Sequence, residues 1–149
     1  MHIKDYMEIA LQQAHKAAQQ GEVPVGAVIV SADGEVIASA HNLVESQRDA
    51  TAHAECLVLR EAMRLLNQKF LEGCDLWVTL EPCAMCAGAI SNARIRRLYY
   101  GAEDKKGGAV EHGSHVFSHA TCHHKPEIYG GIKASKASKL LEEFFAERR

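Results

Sequence analysis

An α/β fold is predicted for this chain by three observations. From Asp75 to Tyr100 the sequence alternates strand, helix, strand, the pattern of parallel strands joined by a crossover helix. Asp33-Gly34 lies between two β-rich runs and marks an antiparallel hairpin. Segments with helical apolar spacing stand near both ends and can cover a sheet. With 149 residues, 47% of them hydrophobic, the chain can bury one substantial core, so residues 1–149 are read as a single domain.

The elements follow in order. Met7, Ala10, Leu11, Ala14, Ala17 and Ala18 recur at helical spacing between Tyr6 and Gln20, and Gly21 supplies a stop. Val25 to Val30 reads as a strand, and Glu35 to Ala40 returns antiparallel to it. Ala52 to Leu66 is the next helix. Asp75 to Leu80 reads as a buried strand, and Pro82, suited to a first helical turn, opens a helix to about Asn92. Leu98 to Tyr100 is the fourth strand. Residues 102 to 126 have no clear period and read as loop. A short strand near Ile128 and a helix from Ala134 to Ala146 complete the chain.

A net charge of −2 with 24% charged residues excludes a broadly cationic surface of the kind that coats nucleic acid, though not a local basic patch. The N-terminus lacks an apolar core of signal-peptide length, and the densest apolar stretch, Val23 to Val30, is too short to span a bilayer. A cytoplasmic protein with no membrane partner is expected. Five cysteines, an odd number without a secretory signal, read as metal ligands or buried groups rather than disulfides.

The chemistry concentrates in His53-Ala54-Glu55 and Pro82-Cys83-Ala84-Met85-Cys86. Zinc prefers nitrogen and sulfur ligands in tetrahedral geometry, and a catalytic zinc keeps one position for water. Cys83 and Cys86, three apart at a helix start, present both sulfurs on one face, where the helix dipole favours thiolates. His53 supplies a third ligand. His53 and Glu55, two apart, point to nearly opposite sides of an ideal helix, so they converge only if this segment is an irregular helix entry. The expected zinc site therefore lies between two helix N-termini. Glu55 is the expected proton shuttle, taking a proton from the attacking water and delivering it to the ring nitrogen beside the attacked carbon. H-x-E with P-C-x-x-C is a known signature of zinc deaminases.

Other readings weigh differently. A redox Cys-x-x-Cys pair fits poorly with Pro82 and the upstream His53-Ala54-Glu55. A closed structural zinc site needs a fourth protein ligand, from His41, Cys56 or Cys74, and leaves Glu55 without a role. Cys56 and Cys74 read as small packed groups. His112, His115, His119, His123 and His124, with Cys122, suggest a second metal site or, more simply, a polar loop.

With these motifs the sequence resembles the bacterial tRNA adenosine deaminases (TadA-type) of the cytidine deaminase-like superfamily. The resemblance covers nearly the whole chain. It rests on Glu22 to Val28, Asn42, Asp49 to Glu55, Thr79 to Ile90 and Phe144-Phe145. It implies a three-layer αβα fold with a central five-stranded mixed sheet, one Zn2+ per subunit, and a homodimer with active sites near the interface. The implied reaction converts the wobble adenosine of a tRNA anticodon to inosine. Asn42 occupies the place of the family asparagine that contacts the target nucleotide, although by itself it also suits a strand-end turn. Pro24, Val25 and Ala54 match positions around the base pocket, and Lys106 matches a loop lysine near RNA phosphate. Ala50 stands where proline is common, Gly107 where threonine is usual, and residues 110 to 124 depart from the pattern.

An anticodon loop offers an unstacked base, so a modest basic patch suffices to hold it. Lys133, Lys136 and Lys139 line one side of the final helix, and Arg148-Arg149 follow. An ordinary solvated helix, burying Leu140, Leu141, Phe144 and Phe145, explains the same spacing. Two further functions share these residues: a deaminase of free guanine, cytosine or a nucleoside, and a noncatalytic zinc-stabilised RNA-binding module.

Overall fold

In a computed structural model that describes residues 5–148, all five positions of the strand Gly26–Val30 (β1) are buried. A strand reaches that state only when both faces of its sheet are covered. Its neighbours are β2 (Val36–His41), β3 (Asp75–Leu80), β4 (Arg97–Ala102) and β5 (Glu127–Tyr129), in the order β2-β1-β3-β4-β5. β1 is antiparallel to β2 and to β3, whereas β3, β4 and β5 are parallel. The helices are α1 (Tyr6–Gln19), α2 (Val44–Gln47), α3 (Ala54–Leu66), α4 (Ala84–Asn92) and α5 (Ala134–Ala146).

The two-residue period of the strands separates the layers. Val28 and Val30 point to one face, where they pack with Met7 and Ala10 of α1 and Ala137 of α5. Ala27 and Ile29 point to the other, against Val58 and Leu59 of α3 and Ile90 of α4. The result is the αβα architecture with a five-stranded mixed sheet. α1 lies so close to the sheet that a Cβ on Gly26 would come 1.9 Å from the Ala10 carbonyl oxygen, which only glycine avoids.

Most of the expected elements are present, with differences that have physical causes. α3 begins at Ala54 rather than Ala52, because His53 is extended at the N-cap (φ −77°, ψ 147°). α4 begins at Ala84, with Cys83 extended in the same way (φ −74°, ψ 175°). β4 runs three residues longer than 98–100 in total, its added positions being held by β3. α2, four residues long, has no periodic signal to betray it. Of the stretch 102–126, Ala102 belongs to β4 and the rest is irregular apart from a 3-10 turn at Val116–Ser118, yet Ala109, Val110 and Phe117 are buried, so it is more than a polar surface loop. In α5, Ala137 and Phe144 are buried, while Leu140 and Leu141 are half-buried and Phe145 is exposed, correcting the expected buried face. Arg149 lies outside the described residues.

Candidate active site

Two chain segments converge at the C-terminal end of β3. The irregular entry to α3 carries His53, and the turn from β3 into α4 carries Cys83 and Cys86. His53 Nδ1 lies 3.6 Å from each of the two sulfurs. The three ligand atoms all lie within 4.8 Å of one another, the one such group among the described residues, and it can hold a metal ion. Both helices start there, so both positive ends face the group. Chiefly through hydrogen bonding with Cys86, the Cys83 thiol is drawn down to about 5, and the nearby His53 imidazole acts in the same direction.

Glu55 occupies the first turn of α3 and is 4% exposed. Burial pushes its carboxyl up to about 7. A carboxyl tuned in this way can accept and return a proton near neutrality. Cys56 is half-buried, with its sulfur 3.6 Å from Cys86 Sγ, so it is not a mere core group as expected. Cys74 is buried in the core.

His53, Glu55 and Cys83 line a cleft of about 700 Å³. Val23, Val25, Leu80 and Phe144 form apolar walls, and Asn42, Glu22, Asp104 and Arg148 add polar groups. Mixed lining of this kind suits a planar, hydrogen-bonding ligand. Asn42 is buried, and its side-chain oxygen accepts the Ala54 N–H at 2.7 Å, supplying the capping bond that His53 does not make. Ala54 itself is fully buried and contributes this backbone contact rather than cleft surface.

The remaining expected residues fall at different distances from the cleft. Val25 lines it, whereas Pro24 is buried behind the wall. Lys106 is exposed on the loop whose Asp104 and Gly107 line the cleft. Lys136 is elsewhere: its ammonium sits 3.6 Å from Glu8, and it borders a separate groove with His15 and Lys139 between α1 and α5. Lys133 is likewise engaged, by Asp5 and Glu8. Among the described residues the long loop holds no second metal-ligand group, and two of its histidines bond backbone carbonyls. His119 Nε2 reaches the Ser114 carbonyl at 2.6 Å and His124 Nε2 the Ile95 carbonyl at 2.8 Å.

Two site features escape sequence reasoning, Glu22 and Glu81, and a third, Arg148, is expected from sequence only as part of a basic patch on the final helix. Glu22 is 1% exposed and accepts the N–H groups of Glu45 and Ser46, at 3.0 and 2.7 Å, and the Ser46 hydroxyl at 2.6 Å. Glu81, with a side chain 0% exposed, serves the loop beyond β4 in the same way. Arg148 stacks its guanidinium on the Phe144 ring at 3.5 Å from the centroid, placing a cation at the cleft mouth. A signal exists for Glu81, which stands between Leu80 and Pro82-Cys83 where an unpaired charge is costly, but Glu22, after Gln19-Gln20-Gly21, has none.

A family model described as MafB19-like deaminase matches residues 1–149. A tRNA-specific adenosine deaminase of Agrobacterium fabrum is 55% identical over 144 residues, covering 97% of this chain and 94% of that protein. A solved structure from studies of A-to-I editing by tRNA:A34 deaminases at the wobble position superposes with a TM-score of 0.89 at 55% identity, covering 91% of this chain and 98% of the other. A guanine deaminase from Nitrosomonas europaea shares the fold, with a TM-score of 0.82 at 24% identity over 95% of this chain and 83% of that one. Since a deaminase model spans its full length and so similar a relative matches nearly end to end, this chain belongs to the MafB19-like deaminase family and to the tRNA-specific adenosine deaminases.

Proposed function

We propose that this enzyme hydrolyses the wobble adenosine of a tRNA anticodon to inosine and ammonia, with one Zn2+ per subunit held by His53, Cys83 and Cys86. The observation that carries the reading is the convergence of that trio with buried Glu55 at one end of a cleft. The substrate follows from the similarity to tRNA-specific adenosine deaminases. The donor set fits zinc on geometry. Bonds of about 2.3 Å to sulfur and about 2.0 Å to nitrogen at tetrahedral angles put N and S about 3.5 Å apart, and the separations here are 3.6 Å.

When bound, zinc supplies Lewis acidity that makes water nucleophilic near neutral pH. Glu55 takes a proton from the water that attacks C6 and gives it to N1 of the purine. It then takes the proton of the new C6 hydroxyl and passes it to the amino nitrogen, so that the C–N bond breaks, ammonia leaves and C6 becomes a carbonyl. Asn42 and Val25 hold the base, and the apolar walls exclude bulk water. Lys106 and Arg148, at the cleft rim, hold flanking phosphates. Lys136 lies outside the cleft, 3.6 Å from Glu8, and this reading gives it no phosphate.

We further infer a cytoplasmic homodimer. No helix among the described residues is long and apolar enough to cross a membrane. Met85, between the two cysteines, is 39% exposed and offers an apolar contact beside the site for a second copy. Light scattering checks the dimer, and fractionation checks the location.

The deciding assay offers purified protein of measured zinc content an anticodon stem-loop with wobble adenosine, beside free adenine, guanine, cytosine and their nucleosides. Inosine in the stem-loop is expected. Turnover of the small molecules alone refutes the substrate. Glu55→Gln should retain zinc while losing at least about 100-fold in kcat, the usual scale for general acid–base catalysis. Unchanged function in Glu55→Gln would favour a noncatalytic RNA-binding module.

A further inference from the structure

Glu81 follows the last residue of β3 and leads into Pro82 and Cys83, yet its side chain faces away from solvent into the loop beyond β4. Five donors meet its two oxygens. Oε1 accepts the Asp104 N–H at 3.1 Å and His112 Nδ1 at 2.7 Å. Oε2 accepts the N–H groups of Val110, Glu111 and His112 at 3.2, 3.0 and 3.2 Å. One carboxylate thus holds both ends of the segment 104–112.

Two further observations point the same way. The main chain knits the same parts together: Glu81 N–H donates to the Ala102 carbonyl and Ala109 N–H to the Pro82 carbonyl, each at 2.9 Å. Gly108 lies bare against the carboxylate, where a Cβ would come within 2.6 Å of Glu81 Cδ. The held segment also forms one side of the cleft through Asp104 and Gly107, and Asp104 Oδ1 accepts the Lys106 and Gly107 N–H groups at 3.2 and 2.9 Å.

We propose that Glu81 and His112 form a latch that positions residues 104–112 as a fixed wall for the RNA flanking the target base. His112 supplies the one side-chain donor to Glu81, and four backbone N–H groups make up the rest. Because an ionised carboxylate only accepts, Nδ1 of His112 must carry the proton, whatever the state of Nε2. Neither residue touches the reacting atoms, so both are positioning residues. The latch couples the wall to the turn that bears Cys83, so that binding flanking RNA does not displace the site. This inference rests on the proposed tRNA substrate.

The test compares wild type, His112→Ala and His112→Asn on the wobble-adenosine stem-loop, with zinc content and amide hydrogen exchange measured in each. Asn restores a donor close to the place of Nδ1. In His112→Ala, KM should rise about ten-fold, the loss of one charge-assisted hydrogen bond, with kcat and zinc content held. Exchange at 104–112 should accelerate while α3 and α4 remain protected. His112→Asn should recover both KM and exchange. Glu81→Gln, which turns a donor toward donors, should show a larger form of the same defects. Unmoved KM and exchange in His112→Ala overturn the latch, as does a fall in kcat with KM unchanged. A wild type that ignores the stem-loop defeats the tRNA reading instead. Exchange then judges the latch alone, acceleration supporting it and no change overturning it.

Discussion

The sulfur of Cys56 lies 3.6 Å from that of Cys86, but it stands outside the group that His53 forms with Cys83 and Cys86. Four mutually close ligand atoms would close a tetrahedral site, whereas three leave a position for water. Cys56→Ala is therefore expected to keep its zinc and its stem-loop turnover, while Cys83→Ala and Cys86→Ala lose both. Zinc analysis of the purified variants checks this, and loss of the metal from Cys56→Ala would mean a closed site. The contrast is one of spacing. Cys83 and Cys86 advertise themselves by lying three apart beside a proline, but nothing local to Cys56 foretells that α3 will carry it to within reach of Cys86.

Among the elements, helix starts decide the chemistry. His53 and Cys83 are both N-caps with extended backbones, and this irregularity lets His53 and Glu55 face the same cleft although two residues apart. α2 depends on Glu22, which bridges from the end of the first helix to its first turn. Burial pushes the Glu22 carboxyl up, but the Ser46 hydroxyl and the N–H groups of Glu45 and Ser46 outweigh it and hold the group below its ordinary 4.5. A depressed carboxylate contributes its full stability above the unfolded value and loses it as pH falls through the folded one. Urea midpoints should fall below about pH 4.5, and the decline in Glu22→Gln should be shallower by up to about 1.4 kcal/mol per pH unit, the weight of one proton. Equal slopes for the two proteins would remove Glu22 from this role.

At the scale of the molecule, an enzyme with net charge −2 has to bind an anionic RNA. Its basic groups matter by location rather than number. Lys106 and Arg148 border the cleft, and Lys136 is tied to Glu8. Stem-loop affinity measured against salt should show a shallow slope, reduced by about 0.7 to 0.9 for each phosphate contact removed. Lys106→Ala and Arg148→Ala should each give that reduction, and Lys136→Ala should not. A lowered slope in Lys136→Ala alone would move the RNA path to the α1–α5 groove.

From the residues alone came the α/β alternation and the group His53, Glu55, Cys83 and Cys86, because periodicity and ligand spacing are local properties carried by neighbouring residues, while the three-layer αβα arrangement with its five-stranded sheet came from the family resemblance. The family resemblance added Asn42 and Val25, which line the cleft. Only the tertiary structure set Pro24 behind the wall, removed Lys136 from it and brought Arg148 to its mouth. It alone revealed the roles of Glu22 and Glu81, whose partners lie 23 to 31 residues away along the chain. A buried carboxylate is stabilised by whichever donors the fold delivers to it, and sequence spacing does not encode which those are.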